Sequence, residues 1–240
     1  MLSVKGVSKS FDGFLAVNQV SFDVAPGEIL GLIGPNGSGK STTFNLIAGT
    51  LKPTAGSIAF VGQEIAGLPA HRVCRMGLAR TFQIPRPFRR LSLRENVTLA
   101  AFYGGRGVGS RAEAETRAVA ALEMIGLPTD PRAMVEGLGA AQLKKLELAR
   151  ALATRPKLLL ADESLGGLDH AEMERAADML GRIRRDLGIT IVWVEHIMGV
   201  LMRVVDRVIV LDHGEVIFEG LPRDAANDSR VAEVYLGRPH

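Results

Sequence analysis

The chain has 240 residues, enough to bury a full-sized core, and its 47% hydrophobic and 23% charged residues are the balance of an ordinary globular protein. Its 29 basic and 26 acidic residues leave a net charge of +3 with no basic stripe, so nucleic acid is not an expected partner. Cys74 is the only cysteine, which excludes an intrachain disulfide, and no run reaches the roughly 18 uninterrupted apolar residues of a membrane span. The start at Met1 likewise lacks the apolar stretch of a secretory signal.

Apolar runs set against Gly and Pro punctuation predict strands at residues 2–7, 20–24, 28–33, 57–61 and 78–82, with a helix that starts near Lys40 and is ended by Gly49. From about residue 94 to 153 the pattern turns helical, over 111–125 and again over 141–153. After Pro156, strands return at 158–162, 189–194, 207–211 and 215–218, with a long helix over 171–187. The tail, 222–237, has the pattern of short helices. Buried strands flanking long helices predict an α/β sheet covered on both faces. No repeat or low-complexity linker divides the chain, so one composite domain is expected over 2–237: a core from 1–85 and 156–220, a helical insert at 90–155, and C-terminal helices at 221–237.

The segment Gly34-Pro35-Asn36-Gly37-Ser38-Gly39-Lys40-Ser41 matches G-x-x-x-x-G-K-[ST] and lies between a predicted strand and a predicted helix. Glycines there let backbone N–H groups turn inward around a β-phosphate, and the helix N-terminus adds its positive end. Lys40 would reach the β- and γ-phosphates, Ser41 would ligate Mg²⁺, and Thr42 would complete the nucleotide contact in the first turn. The bland alternative is a plain Gly-rich turn. Asp162 and Glu163 follow an apolar run, as many exposed strand ends do; beside a phosphate loop, Asp162 is expected to hold the metal and Glu163 to polarise the attacking water.

These motifs continue in a fixed order: Gln83 in Thr81-Phe82-Gln83, then Leu138-Gly139-Ala140-Ala141-Gln142, the Asp162-Glu163 pair, Asp169 in Gly167-Leu168-Asp169, and His196 after Val192-Trp193-Val194-Glu195. Over nearly its whole length the chain resembles the nucleotide-binding subunits of ABC transporters. The resemblance implies a P-loop NTPase (RecA-like) core with an antiparallel β subdomain and an inserted α-helical signature subdomain. It implies ATP and Mg²⁺ as cofactors. It also implies a head-to-tail pairing, as a homodimer or with a second ABC ATPase, in which each signature helix points its N-terminus at the γ-phosphate on the partner's loop.

By the same resemblance Gln83 touches Mg²⁺ and links it to transmembrane permease subunits, and His196 holds the γ-phosphate and the water. Gly139, Ala140, Ala141, Gln142 and Asp169 border the nucleotide, and Phe11 stacks on adenine, with Phe14 as the alternative. Membrane contact would come only through the permeases, at the cytoplasmic face of the inner membrane.

Two positions depart from the family pattern. The usual Leu-Ser-Gly-Gly-Gln loses its serine hydroxyl at Gly139 and gains methyl groups at Ala140 and Ala141, and Ser164 stands where proline is common. Arginines 80, 86, 89, 90 and 94 are either a solvated loop or part of a permease-docking surface. The wording of 77–83, 91–97 and 231–237 resembles the ATPases of branched-chain amino-acid importers, while urea, amide and lipopolysaccharide-transport ATPases share much of it. A P-loop metabolite kinase would share the loop and Asp162 but would have no use for residues 138–142.

Overall fold

The computed structural model describes residues 1–105, 107–162, 169–195 and 198–236. Among these the elements begin, in chain order, with β1 (Leu2–Phe11), β2 (Phe14–Val24), β3 (Ile29–Ile33), α1 (Lys40–Ile47), β4 (Ala55–Phe60), β5 (Gln63–Glu64), α2 (Ala70–Arg75) and β6 (Leu78–Arg80). Three helices follow, α3 (Leu93–Gly104), α4 (Arg111–Ile125) and α5 (Ala140–Ala153). The chain then runs through β7 (Leu158–Asp162), α6 (His170–Leu187), β8 (Thr190–Val194), α7 (Met198–Leu201), β9 (Arg207–Asp212), β10 (Glu215–Gly220), α8 (Pro222–Ala225) and α9 (Ser229–Leu236).

Two sheets form. An antiparallel sheet has the order β2-β1-β4-β5, and a second has the order β10-β9-β3-β8-β7-β6, parallel from β9 to β6 with β10 added antiparallel. Every residue of β3, β7 and β8 is buried, as a parallel sheet covered on both faces requires. Alternation along these strands splits the core in two. Leu30, Leu32, Leu160 and Val192 face α1 and the antiparallel sheet, whereas Ile33, Leu159, Ala161 and Trp193 join the side where α5 and α6 bring Leu152 and Leu180.

Differences from the sequence expectations have local causes. β2 begins at Phe14 rather than residue 20, because Asp12 and Gly13, at φ +46° and +90°, make a two-residue turn whose twist suits a hairpin. Its first residues are mostly exposed, and Gln19 at φ +48° interrupts their alternation, which hides the strand from a periodicity test. β6 ends at Arg80, two residues early, since past Thr81 the chain leaves the sheet with Phe82 and Gln83 exposed. The helical insert packs α3, α4 and α5 together. Its start is tied to the stretch before α5 by the Ser92 and Met134 bridge and by the Leu93 amide donating to the Ala133 carbonyl at 2.8 Å. No described helix is long and apolar enough to cross a membrane.

Candidate nucleotide and metal site

The phosphate loop connects β3, in the middle of the parallel sheet, to α1. Gly34 sits at φ +150°, and a Cβ there would lie 2.1 Å from the Leu211 carbonyl oxygen and 2.6 Å from Ser38 Oγ. At Gly39, φ +100°, a Cβ would come within 2.7 Å of the Ala16 carbonyl oxygen. The loop is thus pressed against β2 and the β9–β10 turn, where the Gly214 amide donates to the Ser38 carbonyl at 3.1 Å. Asn36 and Gly37 are exposed at its tip, Pro35 is half-buried, and Ser38 is buried with its hydroxyl unpaired.

Lys40 is buried and folds back, its Nζ donating to the carbonyls of Gly34 and Pro35 at 2.8 Å each. This ammonium closes the ring of the loop, at the place where a phosphate would be received. Lys40, Ser41 and Thr42 form the first turn of α1, whose early amides have no partner inside the helix. Ser41 is exposed and Thr42 half-buried. A loop with glycine at 34, 37 and 39, a lysine curled around it and a helix N-terminus together suit a polyphosphate.

Asp162 ends β7, two strands from β3, and is buried. Its amide donates to Thr81 Oγ1 at 3.1 Å and its Oδ2 accepts from Arg80 Nη2 at 2.6 Å. Sequence reasoning grouped Arg80 with the arginine-rich stretch; the structure turns it inward, where Nη1 also donates to Asn45 Oδ1 on α1 at 2.6 Å. A charged residue inside an apolar strand was the signal that could have found it.

The other assigned residues are spread around this centre. Gln83 lies in the loop beyond β6, three residues past the strand's last residue, and is exposed. Gly139 is the N-cap of α5, so the helix begins at Ala140, and Gln142 Oε1 accepts from the Gly139 amide at 3.2 Å. Gly139, Ala140 and Gln142 are exposed and Ala141 is half-buried, which leaves the N-terminus of α5 facing solvent. Asp169 caps α6, accepting from the Glu172 amide at 2.7 Å. Phe11 is exposed, with Lys9 Nζ 5.0 Å from its ring centroid, and Phe14 is more exposed still. Glu163, Ser164, Gly167, Leu168 and His196 lie outside the described residues.

The stretch after Gln83 is pinned to α5. The Arg86 amide donates to Glu147 Oε1 at 2.7 Å, and Arg150 donates to the Arg86 carbonyl at 2.9 Å and to Glu147 at 2.7 Å. Asn96, fully buried, bonds both the amide and the carbonyl of Phe88. What remains outside is Phe82, Ile84 and Phe88, together with the exposed Arg89 and Arg90.

The description of the ABC transporter family matches residues 17–166, a stretch that takes in the loop, the signature helix and Asp162. The chain belongs to the ABC transporter family. Over 99% of its length it is 36% identical to the high-affinity branched-chain amino acid transport ATP-binding protein LivG of Escherichia coli strain K12, covering 98% of that protein. It is 34% identical to the corresponding BraF protein of Pseudomonas aeruginosa, with the same coverage.

Among solved structures, a cassette of an ABC transporter in its ADP conformation superposes with a TM-score of 0.89 at 28% identity, covering 99% of both chains. A dimeric cassette in a post-hydrolysis state bound to ADP and Pi gives a TM-score of 0.83 at 29% identity, over 93% of this chain and 99% of that one. This ABC ATPase therefore has the cassette fold, and the metabolite-kinase alternative is set aside.

Proposed function

We propose that this ABC ATPase is the motor subunit of an importer of branched-chain amino acids, seated on permease subunits at the cytoplasmic face of the membrane and paired with a second cassette. The end-to-end similarity to LivG and BraF carries that reading. Mg²⁺, when bound, would neutralise charge on the β- and γ-phosphates.

Ser41, Asp162 and Gln83 are assigned to hold it, a hydroxyl, a carboxylate and an amide of the oxygen-donor kind that Mg²⁺ accepts. Lys40 would exchange the Gly34 and Pro35 carbonyls for phosphate oxygens. The amides of residues 37–42 would donate inward to the β-phosphate, and Phe11 would carry the adenine ring. The solvent-facing start of α5, with Gly139, Ala140, Ala141 and Gln142, would turn its positive end to the γ-phosphate on the partner's loop. Asp169 would border that seam.

Glu163 is assigned to accept a proton from the attacking water, with His196 holding the water in line. Glu163→Gln should lower hydrolysis about 10²- to 10⁴-fold while ATP binding, followed by equilibrium dialysis, is kept. Hydrolysis at the wild-type rate in that variant would remove Glu163 from this role. Uptake of labelled leucine by proteoliposomes carrying the chain with its permeases tests the substrate, and ATP turnover without uptake would send the assignment elsewhere.

A further inference from the structure

Asp162 already holds a cation in this structure. Arg80 Nη2 stands 2.6 Å from its Oδ2, and the two side chains are only 10% and 6% exposed. The guanidinium is fixed from several sides: Asn45 accepts from Nη1 at 2.6 Å, and the rings of Phe44 and Phe82 lie 5.8 Å and 5.4 Å from Cζ. Residues of α1, β6 and its following loop therefore hold one positive charge against one buried carboxylate on β7. A pair this dry is held by geometry, because neither charge can be left alone in the interior without a large desolvation cost. A divalent cation approaching Asp162 meets a neutralised carboxylate and a resident positive charge within a few ångströms.

We propose that Arg80 is a positioning residue that serves Asp162 as an internal counterion. It stands in for the metal when no nucleotide is present and keeps the carboxylate from taking up a bare divalent cation. Metal entry then depends on the phosphates that accompany it. This rests on the assignment of Asp162 to the metal.

The test is Mn²⁺ binding to the full nucleotide-free chain, followed by the paramagnetic resonance of free Mn²⁺. Arg80→Gln removes the charge and the two terminal nitrogens that bond Asn45 and Asp162, and it should bind Mn²⁺ at least about ten-fold tighter than wild type. Arg80→Lys keeps the charge and should stay within about two-fold of wild type. Arg80→Gln combined with Asp162→Asn should lose the gain. The counterion role is overturned by no gain in Arg80→Gln, by an equal gain in Arg80→Lys, or by a gain that survives Asp162→Asn.

Should Arg80→Gln fail to fold, Asn45→Ala loosens the guanidinium without changing any charge. A gain of about three-fold there supports the role, and no gain overturns it. Affinity for Mn·ATP that is unchanged by Asp162→Asn alone would remove the metal assignment itself, a failure separate from that of Arg80.

Discussion

Gly34 tolerates no side chain. Its φ of +150° strains any L residue, and the 2.1 Å approach of a Cβ to the Leu211 carbonyl is a collision with backbone of the neighbouring strand. Gly34→Ala should cost at least about 2 kcal/mol, read by urea unfolding, and should abolish ATP binding. A variant that melts and binds as wild type would mean that the loop can shift to make room. Such single positions differ in how far the sequence discloses them. The loop is legible because its chemistry is packed into eight consecutive residues, whereas Arg80 finds Asn45 and Asp162 at separations of 35 and 82 residues, which no local pattern reports.

The start of α5 shows what a helix contributes once its side chains are stripped back. With glycine at the cap and alanines at the first two helical positions, backbone amides, the helix dipole and the Gln142 amide are left to meet an anion. Ala141→Asp should leave the monomer as stable as wild type or slightly more so, because a carboxylate favours its own helix N-terminus by about 0.3–1 kcal/mol. In the dimer that carboxylate would face the partner's γ-phosphate, so ATP-driven association, followed by light scattering with a non-hydrolysable analogue, should be lost. Unchanged association would place α5 away from the seam.

At this scale the sequence discloses an element where burial is complete and hides it at an exposed edge. β3, β7 and β8 announce themselves as apolar runs. The exposed first half of β2 does not, and only the Asp12-Gly13 pair marks its turn. Asp169 reads as a member of a family series in the sequence, yet its visible work here is to cap α6.

Across the whole molecule, the loop between β6 and α3 exposes apolar side chains and cations together, at Ile84, Phe88, Arg89 and Arg90. Single exposed apolar residues are ordinary, but Phe82, Ile84 at 72% exposure and Phe88 are all exposed within seven residues of one loop, a concentration of the kind that binds protein. Changing Arg89 and Arg90 together to Glu should cut coupled transport by ten-fold or more, on the order of the several kcal/mol that like-charge contacts cost at an interface, with basal ATPase retained. Loss of both activities would instead mean a folding defect. The parallel order of the large sheet could be anticipated in class from its buried strands, but not its strand order, because pairings such as β3 with β8 and β9 join segments far apart in the chain.

The staple of Glu147 and Arg150 on Arg86 gives that face a mechanical property. Glu147 sits about 10 Å along α5 from Ala140, at the helical rise of about 1.5 Å per residue. Residues 84–90 and the start of α5 are therefore joined through one helix, and in the proposed pairing a tug on the loop from outside would tilt the tip that meets the second cassette.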